Sequence, residues 1–309
     1  MPSPNTIPSD RYGAYTLARK LGEGGMAEVF LGSVIDESGN LLPVAIKIAK
    51  PLDGLGLDVE DLFTTEADLM RLLAHPGVVK LYEVGQVQER IFLSMEFLSG
   101  GDLAAVLAAL RRKGRHFPAP LAVQLGLQVL RTLAFVHTAK SASGMALQIV
   151  HGDVNPGNIF LDGTSGIVKL GDFGMAHSQT IGVGLPDGIA GGKLNYLSPE
   201  QAAGLPVTPA TDLFAMATVL YELLFGVRPF EDSSSEEILE RIAQCRYSED
   251  VPMTLWQEEF FSRAFARSAK HRFKTAGAMA GELYRVLFDE LGEAFDGELG
   301  RFLEEAIQE

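Results

Sequence analysis

The chain is nearly without cysteine. Cys245 is the only one among 309 residues, so no disulfide can close within the chain, and the expected compartment is a reducing one, the cytoplasm. Positive charge is scarce too. Lys and Arg number 26 against 40 Asp and Glu, a formal net charge of -14. That balance argues against a general nucleic-acid or anionic-membrane partner, because phosphate-rich surfaces are bound by clustered Lys and Arg. The one basic knot, RRKGR at 111–115, ends a helical pattern, where positive charge complements the helix dipole. No unbroken apolar run is long enough to span a bilayer, so no membrane insertion is expected. The opening MPSPNTIPSDRYGAY lacks the basic start and apolar centre of a signal peptide. There is no Cys/His metal cluster and no repeat at solenoid periods.

What is present is ample for a buried core. A hydrophobic fraction of 47% with 21% charged residues suits a globular protein of two domains or one large two-lobed unit. Its chemistry is densest in IVHGDVNPGNIFL, residues 149–161. Two apolar runs read as short strands that fix a loop between them. Pro156 and Gly157 force a turn there, and Asp153 and Asn158 face the same side. That spacing fits a carboxylate that accepts a hydroxyl proton beside an amide that binds a metal, or else a polar turn.

Further upstream, LGEGGMAEVFLG joins two strand-like runs within 15–34. Gly22, Gly24 and Gly25 let the backbone approach a ligand, and exposed amides can meet phosphate oxygens. Along Val44-Ala45-Ile46-Lys47-Ile48 the alternation puts Lys47 on a face with only Ala45 and Ala49 beside it, so its ammonium needs an anion. Glu66 supplies one. It recurs with Leu62, Leu69, Met70 and Leu73 at helical spacing, inside the apolar stripe of a helix at 59–74, where a carboxylate demands a partner. Strands at 79–87 and 90–95 follow, and then a Gly-containing connector, after which helical patterns dominate.

These motifs, together with Asp172-Phe173-Gly174, stand in the order and approximate spacing of the protein-kinase signature set. The chain resembles the eukaryotic-type (Hanks-type) Ser/Thr protein kinases that bacteria also carry. The resemblance runs over roughly 15–291 and continues in Ser198-Pro199-Glu200 with Tyr196 before it, in Asp212, in LYELLFGVRPF at 220–230, and in Arg272 as the partner of Glu200. It implies an α+β, two-lobed protein-kinase fold: a small antiparallel-sheet N-lobe with one helix, a larger mainly helical C-lobe, and ATP in the cleft. The expected layout is a disordered tail at 1–14, the N-lobe at 15–98, the C-lobe at 99–291 and a tail helix at 292–309, docked on the large lobe or on a partner.

By the same resemblance, Lys47 holds the α and β phosphates and pairs with Glu66, and Asp153 is the catalytic base. Asn158 and Asp172 bind Mg2+, with Mn2+ as an alternative ion. Nucleotide contacts are implied at Leu21, Gly22, Glu23, Gly24, Gly25, Val29, Ala45, Met95, Glu96, Leu98, Asp102 and Phe160. Of these, Val29, Ala45 and Phe160 sandwich adenine, Met95 is the gatekeeper, and Glu96 and Leu98 make backbone hinge contacts.

Three positions depart from the family pattern. Ala27 replaces the third glycine of the Gly-rich loop. Gly152 replaces the Arg before the catalytic Asp, so a phosphate on the activation segment lacks its bidentate guanidinium. With Ser178 and Thr180 its main candidate hydroxyls, the segment is expected to be ordered by an activating protein partner or to be competent already. Asn155 replaces the Lys that neutralises the transferred phosphate. Lys193, in GGKLNY, is the expected substitute, contacting the γ-phosphate or Asp153. The implied activity is ATP-dependent transfer to a protein Ser or Thr hydroxyl. The alternatives are a pseudokinase scaffold that binds nucleotide without transfer, and a small-molecule kinase, whose H-G-D-x-x-x-x-N loop HGDVNPGN also resembles.

Overall fold

Val44, Ile46 and Ile48 are fully buried in one cluster with Tyr12, Tyr15 and Phe92, and this alternation builds the first unit. The structure, a computed structural model, describes residues 11–50, 59–176, 191–248, 250–291 and 297–307. After β1 (Arg11–Tyr12), β2 (Tyr15–Glu23), β3 (Ala27–Ile35) and β4 (Leu41–Ala49) comes helix α1 (Val59–Leu72), then β5 (Leu81–Val87) and β6 (Arg90–Glu96). The six strands form one antiparallel sheet in the order β1-β2-β3-β4-β6-β5. α1 packs on the face opposite the aromatic cluster. There Phe63 and Ala67 meet Ala27, Ala49 and Leu93, where the two small side chains let the helix come close.

The second unit is mainly helical. In chain order it holds α2 (Leu103–Arg112), α3 (Ala119–Thr138), the hairpin β7 (Ile159–Leu161) and β8 (Val168–Leu170), α4 (Pro199–Ala202), α5 (Pro209–Phe225), α6 (Ser235–Gln244), α7 (Leu255–Ala264), α8 (Ala276–Val286) and α9 (Glu298–Ile307). α5 is apolar nearly all round and buried on every side from Thr211 to Leu223, as such a sequence requires. Its Phe214 and Tyr221 pack in an aromatic cluster with Phe230, Phe261 and Phe265. α3 is long and apolar enough by length and composition to cross a bilayer. In this fold Leu125, Leu130, Leu133 and Val136 are fully buried within the unit.

Three expectations need adjustment. The tail expected at 1–14 overlaps β1, because Arg11 and Tyr12 pair with Thr16 and Tyr15 and the Tyr12 ring is buried edge-on against Phe92. The units are Met1–Ala74 with Val79–Phe97, and His75–Val78 with Leu98–Glu309, so the first is not contiguous and ends one residue before 98. The reason is local: His75 stacks on Phe135 at 4.6 Å and Leu170 N–H donates to Gly77 O at 2.8 Å. The basic knot does more than complement a dipole. Arg111 pairs with Glu222, and Arg115 lies 3.6 Å from Glu305 and over the Phe302 ring. Lys113 Nζ donates to Ala306 O. Thus α9 docks on its own unit, burying Leu299, Phe302, Leu303 and Ala306.

Candidate active site

In the first unit the face of β4 that carries Lys47 is the one α1 covers. Lys47 Nζ donates to both oxygens of Glu66, at 2.8 and 2.7 Å. Glu66 is only 3% exposed, so this bidentate contact supplies the partner that a buried carboxylate requires. Ala45 pairs with Met95 across β4 and β6, and Val29 with Lys47 across β3 and β4. Glu96 donates its amide to Lys80 O, and its carboxylate accepts Lys80 N–H. Leu21 is exposed, and a Cβ added at Gly22 or Gly25 would meet nothing within 4 Å. Gly24 N–H closes the turn on Ala27 O. Ala27 is buried in one cluster with Ala49 and Phe63, which accounts for a side chain in place of the third glycine. Glu23, a nucleotide neighbour by resemblance, is tied to Lys20 and Lys50.

The second unit holds the loop. Asp212, 1% exposed, accepts the His151 and Gly152 amides at 2.9 and 2.8 Å, with His137 Nε2 at 2.8 Å. His151 accepts the Asp153 amide at Nδ1, so its proton sits on Nε2 and is donated to Gly171 O. Gly152 has φ +74°, a backbone that side chains rarely adopt, and its carbonyl accepts Gln201 Nε2 at 2.7 Å. Asp153 is therefore aimed by backbone bonds on both sides.

Its carboxylate gathers three donors. Asn155 Nδ2 reaches Oδ1 at 2.8 Å; Asn158 Nδ2 and Lys193 Nζ reach Oδ2 at 2.9 and 2.7 Å. Asn155 also caps the following turn through Gly157 N–H. Lys193 is thus beside Asp153, one of the two contacts expected of it. Asn158 and Asp172 flank the β7–β8 hairpin, where Gly171 N–H donates to Asn158 O at 3.0 Å. The amide of Asn158 is spent on Asp153, so its Oδ1 is the atom left for a cation. Asp172 adopts φ 61°, and its side chain does not cap the next turn. An amide oxygen and a carboxylate are the oxygen donors that a hard divalent ion takes, so by the chemistry of these two side chains the residues fit Mg2+ or Mn2+. Asp102 caps α2 through Ala105 N–H; burial raises its pKa against those backbone bonds. Phe160 bridges to Asp102. Leu98 belongs to this unit, apart from Glu96. Ser178 and Thr180 lie outside the described residues.

Behind the loop, Arg272 donates Nη1 and Nη2 to Glu200 at 2.8 and 2.9 Å, and Thr211 Oγ1 adds a third bond. Burial acts to raise the pKa of Glu200, but the Arg272 bonds and charge outweigh it and leave the value lowered. At Asp212, too, burial is outweighed by His137 and the backbone donors. Both folded values lie below the unfolded ones of about 4. The stability they confer is complete above that pH and lost as pH falls through the folded values. Denaturation midpoints should therefore be flat from about pH 7 to 5 and fall steeply below about pH 4, with a shallower acid limb in Glu200→Gln.

Sequence reasoning missed Gln201, His137 and Glu222. The capping box Ser198-Pro199-Glu200-Gln201 was a readable signal for the first. His137 and Glu222 reveal themselves only through partners 75 and 26 residues away, Asp212 and Tyr196.

The protein kinase domain family matches residues 15–275. The tyrosine-protein kinase MasK of Myxococcus xanthus is 35% identical over 94% of this chain and 46% of its own length. Serine/threonine-protein kinase PrkC of Bacillus subtilis is 30% identical over 90% and 41%, and PknA of Corynebacterium glutamicum 31% over 86% and 55%. The chain thus spans about half the length of these relatives. A match that takes in the Lys47–Glu66 pair, the Asp153 loop and the Glu200–Arg272 pair leads to one conclusion: the chain belongs to the protein kinase domain family, in its bacterial eukaryotic-type branch.

Proposed function

We propose that this chain transfers the γ-phosphate of Mg-ATP to a Ser or Thr hydroxyl of a protein substrate, using a catalytic loop without the usual Arg and Lys. The observation that carries the reading is the Asp153 carboxylate held by Asn155, Asn158 and Lys193. Asp153 takes the proton of the attacking hydroxyl. Asn155 and Asn158 fix its orientation. Lys47, oriented by Glu66, binds the α and β phosphates, while Val29, Ala45 and Phe160 sandwich the adenine, Met95 is the gatekeeper, and Glu96 and Leu98 make backbone hinge contacts. Asn158 and Asp172 would hold a divalent ion, which would supply charge neutralisation at the phosphates. A cytoplasmic location and an activating protein partner belong to the same reading.

Lys193 replaces the cation lost at Asn155. With its ammonium 2.7 Å from Asp153, it can turn to the transferred phosphate as negative charge builds there. Removing one such stabiliser costs about a hundredfold in kcat. Lys193→Ala should therefore lose about two orders of magnitude in kcat with little change in the KM for ATP. Unchanged turnover would remove Lys193 from the mechanism.

The test of the whole reading is transfer from labelled ATP with Mg2+ or Mn2+, to the chain itself and to a generic basic protein, followed by phosphoamino-acid analysis. Phosphoserine or phosphothreonine that vanishes in folded Asp153→Asn supports it. Phosphotyrosine would move the substrate class toward that in the name of the M. xanthus relative. Mg-ATP binding without transfer would establish the scaffold instead, and transfer to a metabolite alone the small-molecule kinase.

A further inference from the structure

We propose that α9 is a positioning element for the metal pair, acting by clamping the turn of the β7–β8 hairpin; this rests on the reading of Asn158 and Asp172 as ligands. The hairpin is what connects them. Asn158 directly precedes β7, and Asp172 stands two residues after β8. The base of the hairpin is tied by Gly171 N–H to Asn158 O and by Leu170 N–H to Gly77 O. Its turn, 162–167, starts on Ser99, whose Oγ donates to Asp162 at 2.9 Å and accepts Gly163 N–H at 3.2 Å, and its far end is held from two sides. On one, Gln128 of α3 donates Nε2 to Gly166 O at 3.2 Å and accepts Val168 N–H at Oε1 at 3.0 Å.

On the other side is α9, in backbone contact. A Cβ at Gly300 would stand 2.6 Å from Thr164 O and 3.1 Å from Gly166 N, and one at Gly166 would stand 2.7 Å from Gly300 N. Main chain cannot swing aside as a flexible side chain would. Glycine is a weak helix former, so Gly300 near the start of α9 works against the helix and for the contact. α9 itself is anchored by Leu299, Phe302, Leu303 and Ala306, all buried, and by the Lys113 bond to Ala306 O. If Gly300 gains a side chain, the element left to give way is the hairpin turn, and with it the spacing of Asn158 and Asp172.

The experiment is Gly300→Ala, with Gly281→Ala in α8 as its control, because a Cβ at Gly281 meets nothing within 4 Å. Mn2+ binding is titrated by electron paramagnetic resonance with a nonhydrolysable ATP analogue, and the analogue alone is titrated without metal. Gly300→Ala should weaken Mn2+ about tenfold, the low end of what loss of support behind a metal ligand costs. It should leave metal-free analogue affinity unchanged, and Gly281→Ala should alter neither. Equal Mn2+ affinity in Gly300→Ala and Gly281→Ala overturns the clamp. Asp172→Asn separates the two readings: if it binds Mn2+ like the parent, the ligand assignment falls; if it loses Mn2+ while Gly300→Ala keeps it, only the clamp falls. Hydrogen exchange of the unaltered chain gives a test free of any folding defect. Amides of β7 and β8 should open no less readily than those of α9, and hairpin amides outlasting α9 by more than about tenfold would also overturn it.

Discussion

Asp153→Asn is expected to slow phosphate transfer about a thousandfold, within the range for loss of a general base. The expectation rests on more than a missing charge. All three groups on the carboxylate are donors: Asn155 at Oδ1, Asn158 and Lys193 at Oδ2. An Asn side chain offers one acceptor and one NH2. If its oxygen faces Asn155, its NH2 confronts both Asn158 and Lys193; flipped, it confronts Asn155. Either way a donor opposes a donor, and the loop loses geometry as well as basicity. Asp153→Ala removes the base without that opposition, so comparing the two variants in single-turnover transfer separates chemistry from misalignment. A slowdown under tenfold in both, with intact folding, would end the assignment of Asp153 as base.

The second large effect is on stability. Arg272→Met should cost about 3 to 5 kcal/mol, the range for removing one member of a buried ion pair. Arg272 is only 2% exposed. Its guanidinium spends its donors on Glu200, Ala266 O, Ala210 O and Arg267 O, and it lies over the Phe214 ring at 4.8 Å. Methionine fills part of the space but leaves the Glu200 carboxylate with Thr211 as its remaining side-chain partner and three carbonyls without their donor. Urea unfolding of Arg272→Met, Glu200→Gln and the double variant measures this. The double should be less destabilised than the sum of the singles, since each single strands the other's partner. Additivity would mean that the two side chains do not act as a unit.

Much of this was legible in the sequence because it rests on short-range rules. Strand alternation alone put Lys47 on the face with Ala45 and Ala49, and helical spacing alone put Glu66 in the apolar stripe of α1. Each implied a buried charge in need of a partner, and they are each other's. The tail helix was legible for the same reason: Leu299, Phe302 and Leu303 mark one face. The α+β class and the family followed from motif order along the chain.

Other features were not legible because local pattern does not carry them. The basic residues at 111–115 read as a helix end complementing a dipole, yet they reach Glu222 and α9. Strand β1 was hidden as well, inside a stretch that reads as a polar tail. Arg11 and Tyr12 join the sheet because Phe92, far along the chain, offers Tyr12 an aromatic edge.

By itself the sequence determined which side chains must be buried, which of those were charged, and the order of the chemical motifs, since periodicity and turn chemistry act over a few residues. Tertiary structure alone decided who answers the buried Glu222, which donors hold the loop from outside it, and which backbone segments touch. Asp212 meets the loop amides, Gln201 meets Gly152, and Gly300 meets the hairpin turn, because hydrogen bonds and backbone contact are settled by distance in space, which separation along the chain does not reveal.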